Sequence, residues 1–158
     1  MKSFVDSHFS TIVSAVTVAT LLLGGALVEA AAAKAVQCTE YVAIVKSLPK
    51  TYPAACLWTN GYLKNNGYKQ QSAPQSGAVI VFQTNAGHGV DTKNGHVGVI
   101  RAVTAVKDNK GVVTRWSVTV RGANQDGKMF TDNGCSNVSD IVFNIYKTET
   151  MAISYWSK

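Results

Sequence analysis

Residues 94–124 read NGHVGVIRAVTAVKDNKGVVTRWSVTVRGAN and predict an antiparallel β-hairpin. Two runs rich in β-branched residues, 97–103 and 115–120, flank a turn of the type Asp-Asn-Lys-Gly at residues 108–111. Residues that pair across a hairpin have numbers with a constant sum, and a turn centred near Lys110 sets that sum at about 220. This count places His96, where the first strand begins, opposite Asn124.

The segments before and after the hairpin predict an α+β fold. Tyr41, Ile44, Val45 and Leu48 lie on one apolar stripe, so residues 38–48 are expected to be a helix that ends before Pro49. Residues 54–65 are expected to form a second helix. Strands follow at residues 78–82 and in the hairpin, and a final pair of strands, 141–146 and 151–156, is expected around residues 147–149.

The N-terminus has the pattern of a secretory signal peptide. Lys2 is followed by an apolar run from about residue 11 to residue 28, and then by alanines at 30–33. We expect residues 1–33 to be removed, leaving a catalytic domain of residues 34–158. An uncleaved membrane anchor at residues 11–28 is the alternative. In either case the domain is exported, to the periplasm or the extracellular space.

Composition limits the partners of this domain. The full chain has a formal charge of +6, and residues 34–158 retain 14 basic and 7 acidic residues, a net charge of +7. A basic exported domain suits polyanionic partners such as cell-wall polymers. The basic residues are scattered rather than clustered, which argues against nucleic acid. We expect a monomer.

The chain has three cysteines, Cys38, Cys56 and Cys135. In an oxidising compartment two of them are expected to pair, and the unpaired thiol becomes a candidate for chemistry. Cys38 is the best candidate for the free thiol, which leaves Cys56–Cys135 as the expected disulfide. The alternative is that all three stay reduced.

Cys38 and His96 form the candidate catalytic pair. Cys38 opens the first predicted helix, where unpaired N–H groups favour a thiolate, and a nearby histidinium lowers a thiol pKa further. We favour His96, at the start of a strand, over His88, which lies in a glycine-flanked loop. Asn124 is the predicted third member, since its side chain can accept the imidazole N–H. A shift in the strand register would bring residue 122 or 126 close instead.

The oxyanion formed during thiol attack needs about two donors. The backbone N–H of Cys38 is one donor that the sequence predicts. Gln37 and Tyr41 are candidates for the second.

Four motifs give the chain a family resemblance. They are Gln37-Cys38-Thr39-Glu40-Tyr41-Val42, Pro74-Gln75-Ser76-Gly77-Ala78-Val79-Ile80, Gly95-His96-Val97-Gly98-Val99 and Val118-Thr119-Val120-Arg121-Gly122-Ala123-Asn124. In this order and spacing they resemble the CHAP domain, the cysteine- and histidine-dependent amidohydrolase/peptidase module of the papain-like, NlpC/P60-type superfamily. The resemblance implies N-terminal helices packed on an antiparallel sheet. This chain departs from the family pattern at Gly122, where many members have an acidic residue.

The resemblance also implies peptidoglycan as substrate. Cys38 would attack an amide carbonyl of the wall peptide, as an N-acetylmuramoyl-L-alanine amidase or an endopeptidase does. The alternatives are an amidase or transferase that acts on another amide, and a secreted wall-binding module without turnover. No cofactor is expected. Some phage members bind calcium through acidic residues before the cysteine, but residues 34–37 read KAVQ, so no metal site is expected here.

Overall fold

A computed structural model of the protein describes residues 33–125, 127–149 and 151–158. The predicted signal peptide, except for its last residue, and the alternative anchor at residues 11–28 lie outside the described residues. Residue 126, one of the alternative neighbours of His96, also lies outside them. No helix in the described part of the chain has both the length and the apolar character needed to cross a membrane.

The described chain forms few helices and eight strands. The helices are α1 (Cys38–Val45), α2 (Tyr62–Asn65) and two 3-10 helices, Ala55–Thr59 and Lys147–Glu149. The strands are β1 (Lys34–Ala35), β2 (Lys69–Gln71), β3 (Val79–Phe82), β4 (His96–Lys107), β5 (Val113–Ala123), β6 (Met129–Asp132), β7 (Cys135–Tyr146) and β8 (Ile153–Ser157).

These strands make one mixed sheet in the order β1-β7-β5-β4-β3-β8-β2, with β6 paired to β7. Neighbouring strands are antiparallel except β1 and β7, which are parallel. An α+β fold fits this arrangement. The predicted pairing of the last two strands is wrong, because β7 lies between β1 and β5 whereas β8 lies between β3 and β2. The side chains of Ile153 and Tyr155 on β8 are buried in the cluster that also contains Ile80 and Phe82 of β3.

Both predicted helices are shorter than expected, for backbone reasons. Helix α1 starts at Cys38 as predicted but ends at Val45, since Ser47 has a left-handed φ of 51°. The N–H of Leu48 then bonds the carbonyl of Ala43, which closes the helix with a Schellman motif. The predicted helix at 54–65 is divided into a 3-10 turn and the short α2 by Gly61, whose φ is +108°.

The sheet is covered on both faces near the start of β4. On one face, Val97 and Val99 pack in a cluster with Tyr41 and Val42 of α1. On the other face, Ile100 is buried in a second cluster that includes residues of β5, β7 and β8. Side chains alternate along a strand, so His96 and Ile100 share a face and Val97 lies on the face covered by α1. The start of α1 and the start of β4 thereby meet at one end of the sheet.

Candidate active site

A cleft of about 710 Å³ opens where α1 and β4 begin. Cys38 and His96 both line it, so the structure brings the two predicted catalytic side chains to one cavity. The remaining lining comes from the start of α1 and the residue before it, from the first 3-10 turn's first residue and the segment before it, from the loop before β4, from the residues after β5, and from the middle of β7.

Cys38 is the first residue of α1 and is half-buried. The first intrahelical bond runs from the N–H of Tyr41 to the carbonyl of Gln37, so the N–H groups of Cys38 and Thr39 have no partner within the helix. Burial raises the pKa of the Cys38 thiol, while the backbone N–H groups of Val97, Thr39 and Cys38 oppose the rise. The sequence predicted a lowered pKa, and the structure differs because desolvation outweighs the helix start.

His96 is only 6% exposed and opens β4, where it pairs with Phe82 of β3. Burial lowers the pKa of the imidazole, and a hydrogen bond to Gln125 partly opposes this. Both shifts favour the uncharged forms at neutral pH, so the two residues that line the cleft rest as a neutral imidazole and a neutral thiol. Such a pair needs proton transfer from sulfur to nitrogen before attack.

Gln125 is the residue that contacts the His96 ring. Its Oε1 lies 2.7 Å from His96 Nε2 in a buried setting. Its Nε2 donates to the carbonyls of Val120 (3.1 Å) and Ser139 (2.7 Å), so the opposite orientation of the amide would place Oε1 against two acceptors. Because Oε1 can only accept, His96 Nε2 must donate, and the proton of the neutral ring lies there. This leaves Nδ1 as the basic nitrogen.

Gly122 provides the space for this contact. A Cβ at this position would lie 2.7 Å from Gln125 Oε1 and 3.2 Å from His96 Nε2. Any side chain at residue 122 would therefore compete with Gln125 for the place beside the imidazole.

Asn124 does not contact His96, contrary to the prediction. The pairing sum of 220 is confirmed at Val99 with Arg121 and at Ile100 with Val120. However, β5 ends at Ala123, and Asn124 has a left-handed φ of 54°, which turns its side chain away from the ladder. Asn124 Nδ2 instead donates to Gln37 Oε1 at 2.8 Å.

Gln125 is not among the site residues predicted from the sequence. One usable signal was Gly122, which lacks a side chain at a position that a shift in the strand register would bring close to His96. A second was Asn124, since asparagine is enriched in the left-handed conformation that ends a ladder.

The two predicted oxyanion donors are in different places. Gln37 lines the cleft beside Cys38 and is exposed. Tyr41 is buried in the core, and its hydroxyl donates to Asp132 Oδ2 at 2.7 Å. The structure therefore places the Tyr41 hydroxyl in the core, and Tyr41 is not among the residues that line the cleft.

All three cysteines are free, so the expected Cys56–Cys135 disulfide is not present. Cys56 lies in the first 3-10 turn, packed against Gly95, with its N–H bonded to the carbonyl of Asn94. Cys135 is buried at the start of β7, beside Lys34 of β1. The two thiols thus lie on different elements, Cys56 on a 3-10 turn and Cys135 on a strand.

His88 also lines the cleft, on the loop between β3 and β4. Its Nε2 lies 3.2 Å from Glu149 Oε1, and its ring meets Phe82 and Phe143 edge-on. The loop thus holds this imidazole more firmly than its glycines suggest. Among the described residues no group of three or more histidine, cysteine or acidic side chains is arranged to hold a metal ion.

Comparisons with known proteins show the family and the fold of the chain. The family model of the CHAP domain matches residues 29–124, more than half of the chain. A solved structure of an N-acetylmuramoyl-L-alanine amidase from Staphylococcus aureus is similar to this chain with a TM-score of 0.51 and 23% sequence identity. The match covers 77% of this chain and 30% of that chain, and at this identity it shows the fold alone. No curated protein matches the sequence.

Proposed function

The chain belongs to the CHAP domain family, and on that premise we propose that it is a cysteine hydrolase that cleaves an amide bond in the peptide of peptidoglycan. The observation that carries the proposal is the single cleft lined by Cys38 and by His96, whose Nδ1 is left unprotonated by the bond at Nε2. A free thiol, a neutral base and unpaired N–H groups at a helix start are the parts that acyl transfer requires.

The reaction follows from the resting protonation states. His96 Nδ1 takes the proton of the Cys38 thiol as sulfur attacks the amide carbonyl, and the developing oxyanion is stabilised by the backbone N–H of Cys38. The tetrahedral intermediate collapses when His96 returns the proton to the leaving amine. Water then attacks the thioester with His96 as base, which releases the acid and restores the thiol.

The proposal includes export of the domain and peptidoglycan as its partner. The support is the signal-like pattern of residues 1–33 and the charge of +7 on residues 34–158, which suits a wall that contains anionic polymers. The S. aureus relative is named an amidase, which favours the bond between muramic acid and L-alanine.

Digestion of purified peptidoglycan, followed by mass spectrometry of the soluble fragments, tests the proposal. The full chain should release fragments with new N-termini, and these identify the bond: L-alanine for an amidase, another residue for an endopeptidase. Cys38→Ala should release none, whereas Cys56→Ala, which removes a second thiol near the site, should act like the wild type. The proposal fails if Cys38→Ala digests as fast as the wild type, or if the wild type binds the wall without cleaving an amide.

A further inference from the structure

We propose that the consecutive amides Asn124 and Gln125 position the two halves of the catalytic apparatus, Gln125 holding His96 and Asn124 holding Gln37 as a second oxyanion donor. The inference rests on the proposed function, because it assigns roles within the same cleft. It gives Asn124 a different partner from the one that strand counting predicts.

The Gln125 half is supported by burial and by saturated hydrogen bonding. Gln125 is 9% exposed, and its amide nitrogen has two carbonyl acceptors that leave it no freedom to rotate. One of these carbonyls is the backbone carbonyl of Ser139. The Ser139 hydroxyl in turn donates to the backbone carbonyl of Gln125 at 3.1 Å. A buried network in which each group has a partner fixes one geometry, and here that geometry ends on His96 Nε2.

Gly122 determines that this partner is a neutral amide. The motif resemblance places an acidic side chain at residue 122 in many related chains, whereas here the space is taken by the end of Gln125. A neutral amide orients the imidazole without a full negative charge to stabilise imidazolium. His96 is accordingly expected to act as a base that is neutral at rest.

The Asn124 half is supported by a second set of contacts. Asn124 Nδ2 donates to Gln37 Oε1, which leaves the Gln37 amide nitrogen free to donate into the cleft beside Cys38. Asn137 fixes the backbone on both sides of this contact. Its Oδ1 accepts the N–H of Asn124 at 3.1 Å, and its Nδ2 donates to the carbonyl of Val36 at 3.1 Å.

The left-handed backbone at Asn124 explains why Gln125, and not Asn124, meets His96. If the strand continued, Asn124 would share the face of Gly122 and Gln125 would point to the opposite face. The φ of 54° at Asn124 breaks this alternation directly after β5, so that residue 124 reaches the segment before α1 while residue 125 returns to the start of β4.

Two small reagents separate the two roles without peptidoglycan. Iodoacetamide alkylates a thiolate by displacing iodide and forms no oxyanion, so its rate at Cys38 depends on His96 alone. With p-nitrophenyl acetate the sulfur attacks a carbonyl carbon, an oxyanion forms, and p-nitrophenolate leaves as the acetyl thioester is made. The second rate depends on both His96 and the oxyanion donors. Peptide mapping distinguishes Cys38 from the other two free thiols.

For Gln125, the variants are Gln125→Ala and Gly122→Ala, with Gln83→Ala as the matched control. Both test variants should slow alkylation of Cys38 near neutral pH by roughly 10–100-fold and change its pH profile. Gln83→Ala removes the same type of side chain, but Gln83 contacts Thr59 and does not line the cleft, so its profile should match the wild type. Gly122→Ala retains the Gln125 amide and covers the case in which Gln125→Ala does not fold. A wild-type profile in a folded test variant overturns this half.

For Asn124, the variant is Asn124→Gly, with Asn133→Gly as the control. Both asparagines are exposed and left-handed, and glycine keeps that backbone without strain. Asn124→Gly and Gln37→Ala should each lower the rate of acetylation by about 10-fold and leave alkylation unchanged. Asn133→Gly should change neither rate. This half is overturned if acetylation is unaffected by Asn124→Gly, or if alkylation falls with it.

Neither readout uses peptidoglycan, so the inference and the proposed function fail separately. A wild type that reacts as described with both reagents, yet cleaves no amide of the wall, would contradict the substrate and leave the positioning roles supported.

Discussion

The two ends of the β4–β5 hairpin share one hydrogen-bonded ladder and differ in their surroundings. At the end near the cleft, residues 96–100 of β4 are all buried, as are residues 120, 122 and 123 of β5. Beyond a ladder irregularity at Arg101, residues 101–107 of β4 are exposed or partly exposed. We call these the near end and the far end.

The difference shows that strand pairing alone does not make a reactive site. The near end is covered by α1 on one face and by the second apolar cluster on the other. Burial there lowers the pKa of His96 and makes a partner such as Gln125 necessary, because an unpaired polar group in that setting is costly. At the far end, residues 101–107 of β4 are at least partly exposed, and the side chains of β5 that are buried there, Trp116 and Val118, are large and mostly apolar, so no buried imidazole needs a partner.

The largest expected contrast is catalytic. His96→Ala at the near end should lower kcat/KM by about 10²–10⁴-fold, since it removes the base. His88→Ala provides a control of the same residue type in the same cleft. It should lower kcat/KM only a few-fold, because the contact of His88 with Glu149 is partly exposed and worth little. Assays of both variants on one peptidoglycan preparation check this prediction. Equal losses of kcat/KM in the two variants would contradict the assignment of His96 as the base.

A second contrast concerns stability and uses one substitution at both ends. Val120 is fully buried at the near end, whereas Val112 is 53% exposed at the hairpin tip. Val120→Ala should lower the free energy of unfolding by about 2 kcal/mol, from the loss of two buried methyl groups, while Val112→Ala should change it by less than about 0.5 kcal/mol. Urea denaturation measures both. Similar losses would mean that the far end is as closely packed as the near end.

The pH dependence of stability should follow the near end. The pKa of His96 is lowered in the folded state, so the unfolded chain binds the proton first as pH falls. This group's contribution is complete above its ordinary pKa of about 6.5 and declines as the pH falls below that value. Thermal unfolding near pH 7 and near pH 5 should show a larger loss for the wild type than for His96→Gln. An equal loss would contradict a buried neutral imidazole.

The smallest effect is expected at the far tip. Asp108 Oδ1 accepts the N–H groups of Lys110 and Val112 there. Asp108→Ala should lower the free energy of unfolding by about 0.5–1 kcal/mol, since these are exposed turn bonds, and should leave kcat/KM unchanged. Denaturation and activity measured on the same sample check this prediction. A change in kcat/KM would mean that the far end communicates with the cleft.

Local features of the fold were predictable from the sequence, and long-range ones were not. The start of α1 at Cys38 and the pairing sum of 220 follow from periodicity and from the turn chemistry between two strands. The place of β8 between β3 and β2 depends on packing against Ile80 and Phe82, which are distant in sequence. Chain order therefore suggested a pairing with β7 that does not form.

The candidate site divides in the same way. Cys38 and His96 were identified from their places at the starts of a helix and a strand. The contact of Gln125 with His96 depends on one left-handed residue after β5 and on the absence of a side chain at Gly122. A single backbone angle changes which of two adjacent amides faces the imidazole, and strand counting carries no information on that angle.

Capture of the acyl-enzyme would show directly whether Cys38 is the nucleophile. The chain has three free thiols, Cys38, Cys56 and Cys135, which compete within one molecule. Full-length protein is mixed with peptidoglycan fragments, quenched in acid within its first turnovers, and mapped by mass spectrometry of its peptides. We expect a thioester adduct on Cys38 alone, which disappears in His96→Ala. An adduct on Cys56 or Cys135, or amide cleavage by a chain in which Cys38 is replaced by alanine, would contradict this expectation.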